Sequence, residues 1–451
     1  MVHEALSTLL AWMAVFQPAL TRPGFDNMVV VFTGWVLTAG PHAVTQALVT
    51  TEVAGRRHHE AFHRFFSRGT WDPDAMGRLL FEHAVAMFVR PGCPIRVAVD
   101  DTLAPKKGPH VFGIGSHLDA VRSTRRFRVF AFGHCWVVLA LLLPLPFCDR
   151  TWALPLLFRL YRNKKECVKK KEPYRKKTEL AREMLDVFAT WTGDRRVELA
   201  ADSAYCNDTV TRGLPSSIVL FGSMRPDAVL TALPPVRRRK QKGGRPSKRG
   251  RVLAKPEALA SDNRRPWERC EAMLYGKKQT VHYKTVTAQW YRACGVRLLR
   301  IVVVKVNRGT IGIRVFFSTD ATLPVRQVLE TYAGRWEIEA CFRNLKQLLG
   351  FADSSARKKA AVERTAPFVG LVYTTLVLWF AAGAHRSPLA APPLRPWYSH
   401  KRGFSFADVL RTAQRALAPL DVLDPRRSLG NLRRRRAESL QPRKPRFKVA
   451  A

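Results

Sequence analysis

The sequence predicts an α/β protein in which a helical N-terminal region precedes a core built around a sheet. Apolar residues recur at helical spacing through residues 1–90, which is typical of amphipathic helices. Two runs of β-branched and apolar residues, at 94–101 and 196–202, are typical of buried strands. With 451 residues, of which 47% are hydrophobic, the chain can bury a core in two or three domains.

Residues 1–90 are interpreted as a helical region that binds DNA, because Arg and His cluster in one part of it. His59, Glu60 and His63 also spell H-E-x-x-H, the zinc motif of a class of metalloproteases. No third ligand follows at a metzincin spacing, and a protease has no use for a strongly basic chain. These histidines are therefore interpreted as surface or phosphate-facing residues.

Residues 91–205 are predicted to begin the sheet. The run PIRVAVDD is typical of a strand that ends on Asp100 and Asp101. Carboxylates at the end of a buried strand are costly unless they bind a metal ion or pair with a cation. Turn or cap aspartates are the alternative interpretation. A second apolar run ends in the same way on Asp202, followed by small residues and Tyr205.

Residues 206–322 are interpreted as a β-rich insertion, because three strand-like runs occupy its second half. A basic loop with Gly and Pro precedes these runs at 236–252. Its Arg245 and Arg249 resemble the arginines of arms that bind the DNA minor groove. A flexible, solvated loop is the alternative interpretation.

Residues 323–390 are predicted to supply a helix that carries Glu339. Arg335 and Arg343 stand one helical turn before and after this carboxylate, so they would stabilise its ionised form. Leucines on another stripe of 332–350 predict packing against a core. The alternative is a salt-bridged surface helix.

Two long apolar runs are interpreted as core elements, so no membrane partner is predicted. The run 129–147 is expected to form a buried pair of strands, and 367–384 a core helix. The helical region before Glu339 is expected to open at Pro324, with Thr322 as its cap. From 391 to 451 the Pro-rich and Arg-rich sequence predicts a basic, mostly disordered tail.

The charge balance indicates a polyanionic partner. The chain has 76 Lys and Arg against 35 Asp and Glu, a formal net charge of +41, which is more than solubility requires. The basic residues occur in several blocks and include many arginines, which favours nucleic acid over an anionic lipid surface. Eight scattered cysteines without C-x-x-C spacing, and an N-terminus without a signal-peptide pattern, predict a cytoplasmic protein.

Three acids carry the predicted chemistry: Asp100 or Asp101, Asp202 and Glu339. Carboxylates are hard oxygen ligands suited to Mg²⁺ or Mn²⁺. Two such ions held by carboxylates can activate an attacking oxygen and stabilise a leaving one in phosphoryl transfer. Strand-Asp, strand-Asp and helix-Glu in one very basic chain therefore indicate a nucleic-acid phosphoryl-transfer site with two Mg²⁺ or Mn²⁺ ions.

The late helix carries a family resemblance. Tyr332, Arg335, Glu339 and Lys346 match the pattern Y-x2-R-x3-E-x6-K, which resembles the signature of cut-and-paste insertion-sequence transposases of the DDE superfamily. The D-x-A-Y at Asp202 is similar to the second acid block of that family. Its first block usually reads D-x-T, which favours Asp100 over Asp101, although a shift of the strand end by one residue reverses this choice.

The resemblance implies an RNase H-like catalytic core that the 206–322 insertion interrupts, with 91–205 and 323–390 as its two parts. It implies cleavage and joining of double-stranded DNA at the ends of a mobile element, with Asp100, Asp202 and Glu339 holding two Mg²⁺ or Mn²⁺ ions. Tyr332, Arg335 and Lys346 would contact phosphates, and Trp290 is the candidate for stacking on a flipped base.

Two further expectations rest on the same resemblance: the N-terminal region reads terminal inverted repeats, and catalysis occurs in a homodimeric synaptic complex with target DNA. The alternative is a catalytically inactive, transposase-derived DNA-binding protein. Loss of one of the acids would be typical of such a relative, whereas all three are present here.

Overall fold

The computed structural model describes residues 2–108, 110–119, 121–124, 126–235, 247–308, 310–393, 396–398 and 403–423. Arg245 and most of the basic loop predicted at 236–252 lie outside these residues. The same is true of 424–451, the end of the predicted tail.

Five helices form the N-terminal region: α1 (Val2–Ala14), α2 (Arg22–Leu37), α3 (Val44–Thr50), α4 (Glu60–Ser67) and α5 (Pro73–Phe88). Local sequence fixes where two of them begin. Thr21 caps α2 by accepting a hydrogen bond from Gly24 N at 3.2 Å, and Asp72 caps α5 by accepting one from Asp74 N at 3.1 Å. The predicted helical state of this region is confirmed.

Ten strands follow: β1 (Ile95–Pro105), β2 (Gly115–Leu118), β3 (Phe130–Pro144), β4 (Thr151–Tyr161), β5 (Val197–Ala201), β6 (Ile218–Met224), β7 (Glu268–Leu274), β8 (Lys277–Gln289), β9 (Leu298–Arg308) and β10 (Thr310–Ser318). They form one mixed sheet in the order β2-β3-β1-β5-β6-β10-β9-β8-β7, with β4 also paired to β3. The pairs β1–β5 and β5–β6 are parallel, and the other pairs are antiparallel. The protein is therefore α/β with a large mixed sheet.

The remaining α-helices of the described residues are α6 (Lys164–Lys169), α7 (Lys177–Thr192), α8 (Asp208–Thr211), α9 (Pro256–Ser261), α10 (Tyr291–Cys294), α11 (Val325–Gly334), α12 (Glu337–Leu348), α13 (Lys359–Ala382) and α14 (Phe406–Leu417). Pro324 precedes α11, as expected, but Thr322 is not its cap. The Thr322 hydroxyl donates to Asp320 at 2.6 Å instead.

Two strands differ from their predicted form. The apolar run at 129–147 forms the single strand β3 and not a pair of strands, because helices cover both faces of the sheet here and no polar turn interrupts the run. β1 continues past both aspartates to Pro105. Asp100 and Asp101 therefore lie in mid-strand, where they pair with Val138 and Val137 of β3.

The strands within 206–322 extend the same sheet. β6 is parallel to β5, and β10 is antiparallel to β6, so no break separates β7–β10 from the strands that carry the acids. The three strands predicted after the basic loop correspond to β8, β9 and β10. The boundaries of the domains stay a prediction.

The buried residues form two apolar clusters. The larger one runs from the N-terminal helices through β1, β3, β4 and β5 to α12, α13 and α14, and it also includes buried residues of β6, β8, β9 and β10. The smaller one lies between α11 and strands β6–β9, with Phe221, Val302 and Val328 at its centre. Consecutive helices, α11 and α12, thus belong to different clusters.

The last two helices close the larger cluster. α13 is the core helix expected at 367–384, although it begins eight residues earlier. Among the described residues it is the one helix long and apolar enough to cross a membrane, and 94% of its most apolar window is buried inside the protein. α14 corrects the expectation of disorder for its own residues. Ser405 and Asp408 form a capping box at its start, and its apolar face is buried.

Candidate active site

The pairing of β1 with β5 brings two of the predicted acids together. Val99 is level with Ala201 in this parallel pair, so the next residues, Asp100 and Asp202, are neighbours across the ladder. Side chains level with each other on adjacent strands point to the same face of a sheet. Both carboxylates are therefore presented on one face, where β5 ends and β1 continues.

Arg335 connects the first acid to the third. Its Nη1 donates to Asp100 Oδ2 at 2.5 Å, and its Nη2 donates to Glu339 Oε1 at 3.0 Å. The Arg335 side chain is only 11% exposed, and that of Asp100 17%. At 37% exposed, the Glu339 side chain is the member of the group that faces solvent. The guanidinium group thus lies between the two carboxylates.

Burial changes the protonation of the two aspartates. It raises the pKa of Asp100 to about 7, since the nearby Asp202 adds to the effect of burial while Arg335 opposes it. Burial also raises the pKa of Asp202, again against the effect of Arg335. Two adjacent buried carboxylates cannot both ionise cheaply without a cation, and a shifted carboxyl pKa of this kind is common at functional sites.

A tight turn between α11 and α12 positions Arg335 and Glu339. The sequence predicted one helix through 332–350, whereas α11 ends at Gly334 and α12 begins at Glu337. Between them the backbone N–H groups of Arg335, Ile338 and Glu339 bond three residues back, to Tyr332, Arg335 and Trp336, instead of four. The chain keeps helical dihedral angles here, so Arg335 and Glu339 still share one face.

Asp101 lies in a different environment from Asp100. Adjacent residues of a strand point to opposite faces. On its own face of the sheet, the Asp101 carboxylate accepts hydrogen bonds from two side chains. Lys177 Nζ donates to its Oδ2 at 2.6 Å, and the Tyr205 hydroxyl donates to its Oδ1 at 2.8 Å. The geometry therefore places Asp100, and not Asp101, beside Asp202 and Arg335.

The sequence D-x-A-Y after β5 has a structural explanation. Asp202 Oδ1 accepts hydrogen bonds from the backbone of Ala204 at 2.9 Å and of Tyr205 at 3.4 Å, which closes a turn. That turn directs the Tyr205 ring under the sheet to Asp101. Lys177 and Tyr205 were not predicted as site residues. The pattern around Asp202 contained the signal for Tyr205, and nothing in the basic run before α7 distinguished Lys177.

The carboxylates fit a hard divalent cation in their chemistry. Two buried aspartates and a partly exposed glutamate offer oxygen donors of the kind that Mg²⁺ and Mn²⁺ prefer. Among the described residues, no hydrogen bond reaches Asp202 Oδ2 or Glu339 Oε2. As arranged here, with Arg335 between Asp100 and Glu339, no group of three His, Cys, Asp or Glu side chains in the described part of the chain already converges for a metal ion.

Three other residues predicted to contact phosphates lie on α11 and α12. The Tyr332 hydroxyl donates to Ser223 Oγ at 3.2 Å, and the Arg335 guanidinium lies 5.9 Å from the Tyr332 ring centroid. Arg343 is exposed on α12. Lys346 is half-buried, which lowers its pKa, while the charge of Asp119 opposes this.

No hydrogen bond or ion pair between described residues joins Trp290 or Arg249 to the acids. Trp290 is half-buried and packs edge-on against Phe317, with ring centroids 5.6 Å apart. Arg249 is exposed and lies over the ring of Tyr291 at 5.6 Å. Arg245 lies outside the described residues.

The exposed aromatic side chain beside the acids is Trp336, which the sequence analysis missed. It follows Arg335 directly, is 52% exposed, and lies 6.2 Å from the ring centroid of Tyr275. Tyr275 and Gly276 form the two-residue turn between β7 and β8 with φ of 53° and 77°. A type I′ hairpin turn requires positive φ at both of its central residues, so the conformation of Tyr275 is explained by the turn.

The H-E-x-x-H residues form a polar surface. His59 precedes α4 without a side-chain capping hydrogen bond, and its ring stacks on that of His58 with centroids 4.6 Å apart. Glu60 accepts a hydrogen bond from Arg64 at 3.1 Å on an exposed helix face. The expected surface location of these residues is confirmed.

A family model described as DDE superfamily endonuclease matches residues 15–292, more than half of the chain. The chain belongs to the DDE superfamily endonucleases. This confirms the resemblance found in its acid motifs. A second model, described as archaeal putative transposase ISC1217, matches residues 291–381 and thus the segment with Glu339.

Comparison of this DDE superfamily protein with solved structures found piggyBac transposase in a synaptic complex with hairpin DNA. That match has a TM-score of 0.43 and 10% sequence identity, and it covers 98% of this chain and 84% of that one. No curated protein matches the chain.

Proposed function

We propose that this DDE superfamily protein is a DNA transposase that cleaves double-stranded DNA at the ends of a mobile element and joins the freed ends to target DNA. The observation that carries the proposal is the arrangement of its acids. Asp100 and Asp202 are neighbours on parallel strands, and Arg335 links Asp100 to Glu339. The match to a transposase family model across Glu339 supports the same activity.

Asp100, Asp202 and Glu339 are the residues that would hold two Mg²⁺ or Mn²⁺ ions. Bound there, the ions supply an activated water and stabilisation of the leaving oxygen. The protein contributes position and charge. Asp202 is fixed by its own turn, Asp100 by the ladder with β3, and Glu339 by α12. Arg335 holds Asp100 and Glu339 at a short separation despite their like charge.

The sheet supports an RNase H-like core. Its acid-bearing strands β1 and β5 are adjacent and parallel, the antiparallel strands β3 and β4 follow on one side, and α12 covers the acids. The strands β7–β10 would then be the insertion between the second and third acid. We assign 1–90 to DNA end recognition on the same analogy. Within the predicted tail 391–451, α14 belongs to the core.

Phosphate contacts are assigned to Tyr332, Arg335, Lys346 and Arg343 near the acids, and to Arg249 and Arg245 near the basic loop. Trp290 remains a candidate for stacking on a flipped base, and Trp336, which is exposed and follows Arg335 in the chain, is a second candidate. We further propose a homodimer on DNA and a location in the cytoplasm at the nucleoid.

The test is cleavage of DNA fragments that carry candidate element ends, with Mg²⁺ or Mn²⁺, by the wild type and by Glu339→Gln. Glu337→Gln is the matched control, because Glu337 lies half-buried on the same helix and makes no described contact with Arg335. Metal-dependent cutting that persists in the Glu337 variant and vanishes in the Glu339 variant, with DNA binding retained in both, is the expected result.

Asp101→Asn and Asp100→Asn should differ in the same assay. Asp100→Asn is expected to abolish cutting. Asp101→Asn should only reduce the rate of cutting, because Asp101 binds Lys177 and Tyr205 and its loss would make the site less rigid. If the wild type binds DNA and never cuts it under any of these conditions, the chain is an inactive, transposase-derived DNA-binding protein.

A further inference from the structure

The hairpin formed by β2 and β3 exposes five large apolar side chains. Leu118 lies opposite Phe130 in the ladder, and Phe132 is two residues further along β3, so these three share one face. Beyond the ladder, Val121 and Phe127 are 92% and 76% exposed. A cluster of exposed apolar residues on one segment marks an interaction surface.

Hydrogen bonds join described residues near the end of this hairpin to one another. Thr124 N donates to Phe127 O at 2.8 Å, and Phe127 N donates back to Thr124 Oγ1 at 3.0 Å. One step below, Val129 N donates to Ser123 Oγ at 2.9 Å. Because the backbone on both sides is tied, Phe127 is held in solvent by a formed structure.

The charges around the apolar residues indicate which partner fits. Arg122, Arg126 and Arg128 are exposed, and no ion pair between described residues involves them. The nearby acid, Asp119, is used internally, since its Oδ1 accepts from Val121 N at 3.1 Å and from Arg122 N. A second copy of this chain would bring the same cations to the contact, whereas a polyanion would complement them.

The hairpin also lies at the end of the sheet that carries the acids. β1 runs from Asp100 to Pro105, which pairs with Gly133 at the base of the hairpin. Five residues of strand, about 17 Å, separate Asp100 from this base, and Phe127 lies six residues beyond Gly133 towards the end of the hairpin. Lys346 of the Glu339 helix is near enough to Asp119 for that carboxylate to raise its pKa. One duplex can therefore contact the acids and the hairpin together.

We propose that the β2–β3 hairpin is a wedge that inserts its apolar end, with Phe127 foremost, into distorted duplex DNA while Arg122, Arg126 and Arg128 bind the flanking phosphates. Apolar side chains that partly unstack a base step, flanked by cations, are a general device by which proteins bend or open DNA. This inference rests on the proposed function and adds to it a means of deforming DNA next to the acids.

The experiment compares binding of two short duplexes, one fully paired and one with a central mismatch, each with 2-aminopurine beside the centre. The wild type is expected to prefer the mismatched duplex, since it costs less to open, and to raise the 2-aminopurine fluorescence. Phe127→Ser should lose about tenfold in affinity for it, together with the fluorescence change. Its salt dependence should stay that of the wild type.

The arginines and an apolar control separate the two parts of the wedge. Arg126→Ala with Arg128→Ala should lower the slope of log affinity against log salt by about one to two. Met87→Ser, at a residue that is 43% exposed on α5, should behave as the wild type. Phe127 is exposed, so thermal unfolding of the Phe127→Ser variant should match that of the wild type.

Two outcomes overturn the wedge. Unchanged affinity and fluorescence in Phe127→Ser would show that the hairpin does not enter DNA. If Phe127→Ser sediments at a different mass from the wild type and still binds DNA as the wild type does, the hairpin is a surface for a protein partner. If the wild type binds and cuts DNA while Phe127→Ser does the same, the wedge fails and the proposed transposase survives. If the wild type binds no DNA at all, both fail.

Discussion

Arg335 is the residue on which the separation of the acids depends. Its guanidinium group contacts Asp100 and Glu339, and its Nε is buried without a hydrogen-bond partner among the described residues. An unmatched buried donor of this kind is costly in a resting protein. We therefore expect Arg335 Nε to gain a partner, such as a phosphate oxygen, when DNA is bound.

Arg335→Gln is expected to destabilise the metal-free protein by about 2 kcal/mol, because it leaves the Asp100 carboxylate buried without its cation. Protonation of Asp100 limits the loss. In a double-mutant cycle in chelator-containing buffer, Asp100→Asn should recover at least about 1 kcal/mol of it. Arg343→Gln, on the exposed face of α12, is the control and should change the free energy of unfolding by less than about 0.5 kcal/mol. Additive effects of the first two substitutions would contradict the contact.

His134 gives a second prediction at this scale, which concerns pH. The ring is buried on β3 and hydrogen-bonded to the Phe112 carbonyl at 2.8 Å, and burial lowers its pKa to about 4. Between that value and the ordinary histidine value the unfolded chain binds a proton that the folded protein refuses. Stability therefore falls as the pH drops through this window.

His134→Gln should remove this dependence while it keeps a donor for Phe112. Relative to the wild type, the variant should lose about 2 kcal/mol less of unfolding free energy between about pH 7.5 and about pH 5. Urea unfolding at the two pH values measures it. Equal losses in both proteins would mean that His134 titrates normally in the fold.

At the scale of elements, the close approach of α5 to β4 depends on one glycine. A Cβ on Gly77 would lie 2.4 Å from the carbonyl oxygen of Leu156, a backbone atom that cannot turn aside. Gly77→Ala should therefore cost about 1–3 kcal/mol from overpacking, although alanine favours the helix by about 1 kcal/mol. Gly40→Ala has open space at its Cβ and is the control. Thermal unfolding measures the difference. Equal melting temperatures of Gly77→Ala and the wild type would contradict the close contact.

Most elements follow from local sequence, and the exceptions have physical causes. Periodicity predicted the N-terminal helices, β8, β9, β10 and α13, because each has a strong apolar pattern. β1 was expected to end on Asp100 and Asp101, since carboxylates rarely continue a buried strand. It continues because Arg335 and Lys177, which are distant in sequence, compensate the two aspartates from opposite faces.

The candidate site was predictable in its residue types and less so in its geometry. Alternation along a strand requires Asp100 and Asp101 to face opposite ways, but only the packing of α12 and α7 decides which face has Asp202 and Arg335. Tyr205 and Lys177 support Asp101 from outside its own segment. The exposure of Trp336 follows from the turn between α11 and α12. The sequence predicted one continuous helix here, so it did not indicate this turn.

For the whole molecule, the net charge of +41 sets the expectation for binding. Affinity for duplex DNA should fall steeply with salt, with a slope in log–log form of roughly −0.9 for each phosphate neutralised. Titrations by fluorescence anisotropy from low to physiological ionic strength measure the slope. A flat dependence would count against every nucleic-acid function for this chain, whatever the state of the acids.

The break between α11 and α12 falls where the two apolar clusters meet. α11 packs on β5, β6, β7 and β10, whereas α12 packs on β1, β4 and α13. Arg335 lies in the turn that joins the two helices. Any shift of α11 relative to α12 would therefore change the distances of Arg335 from Asp100 and Glu339.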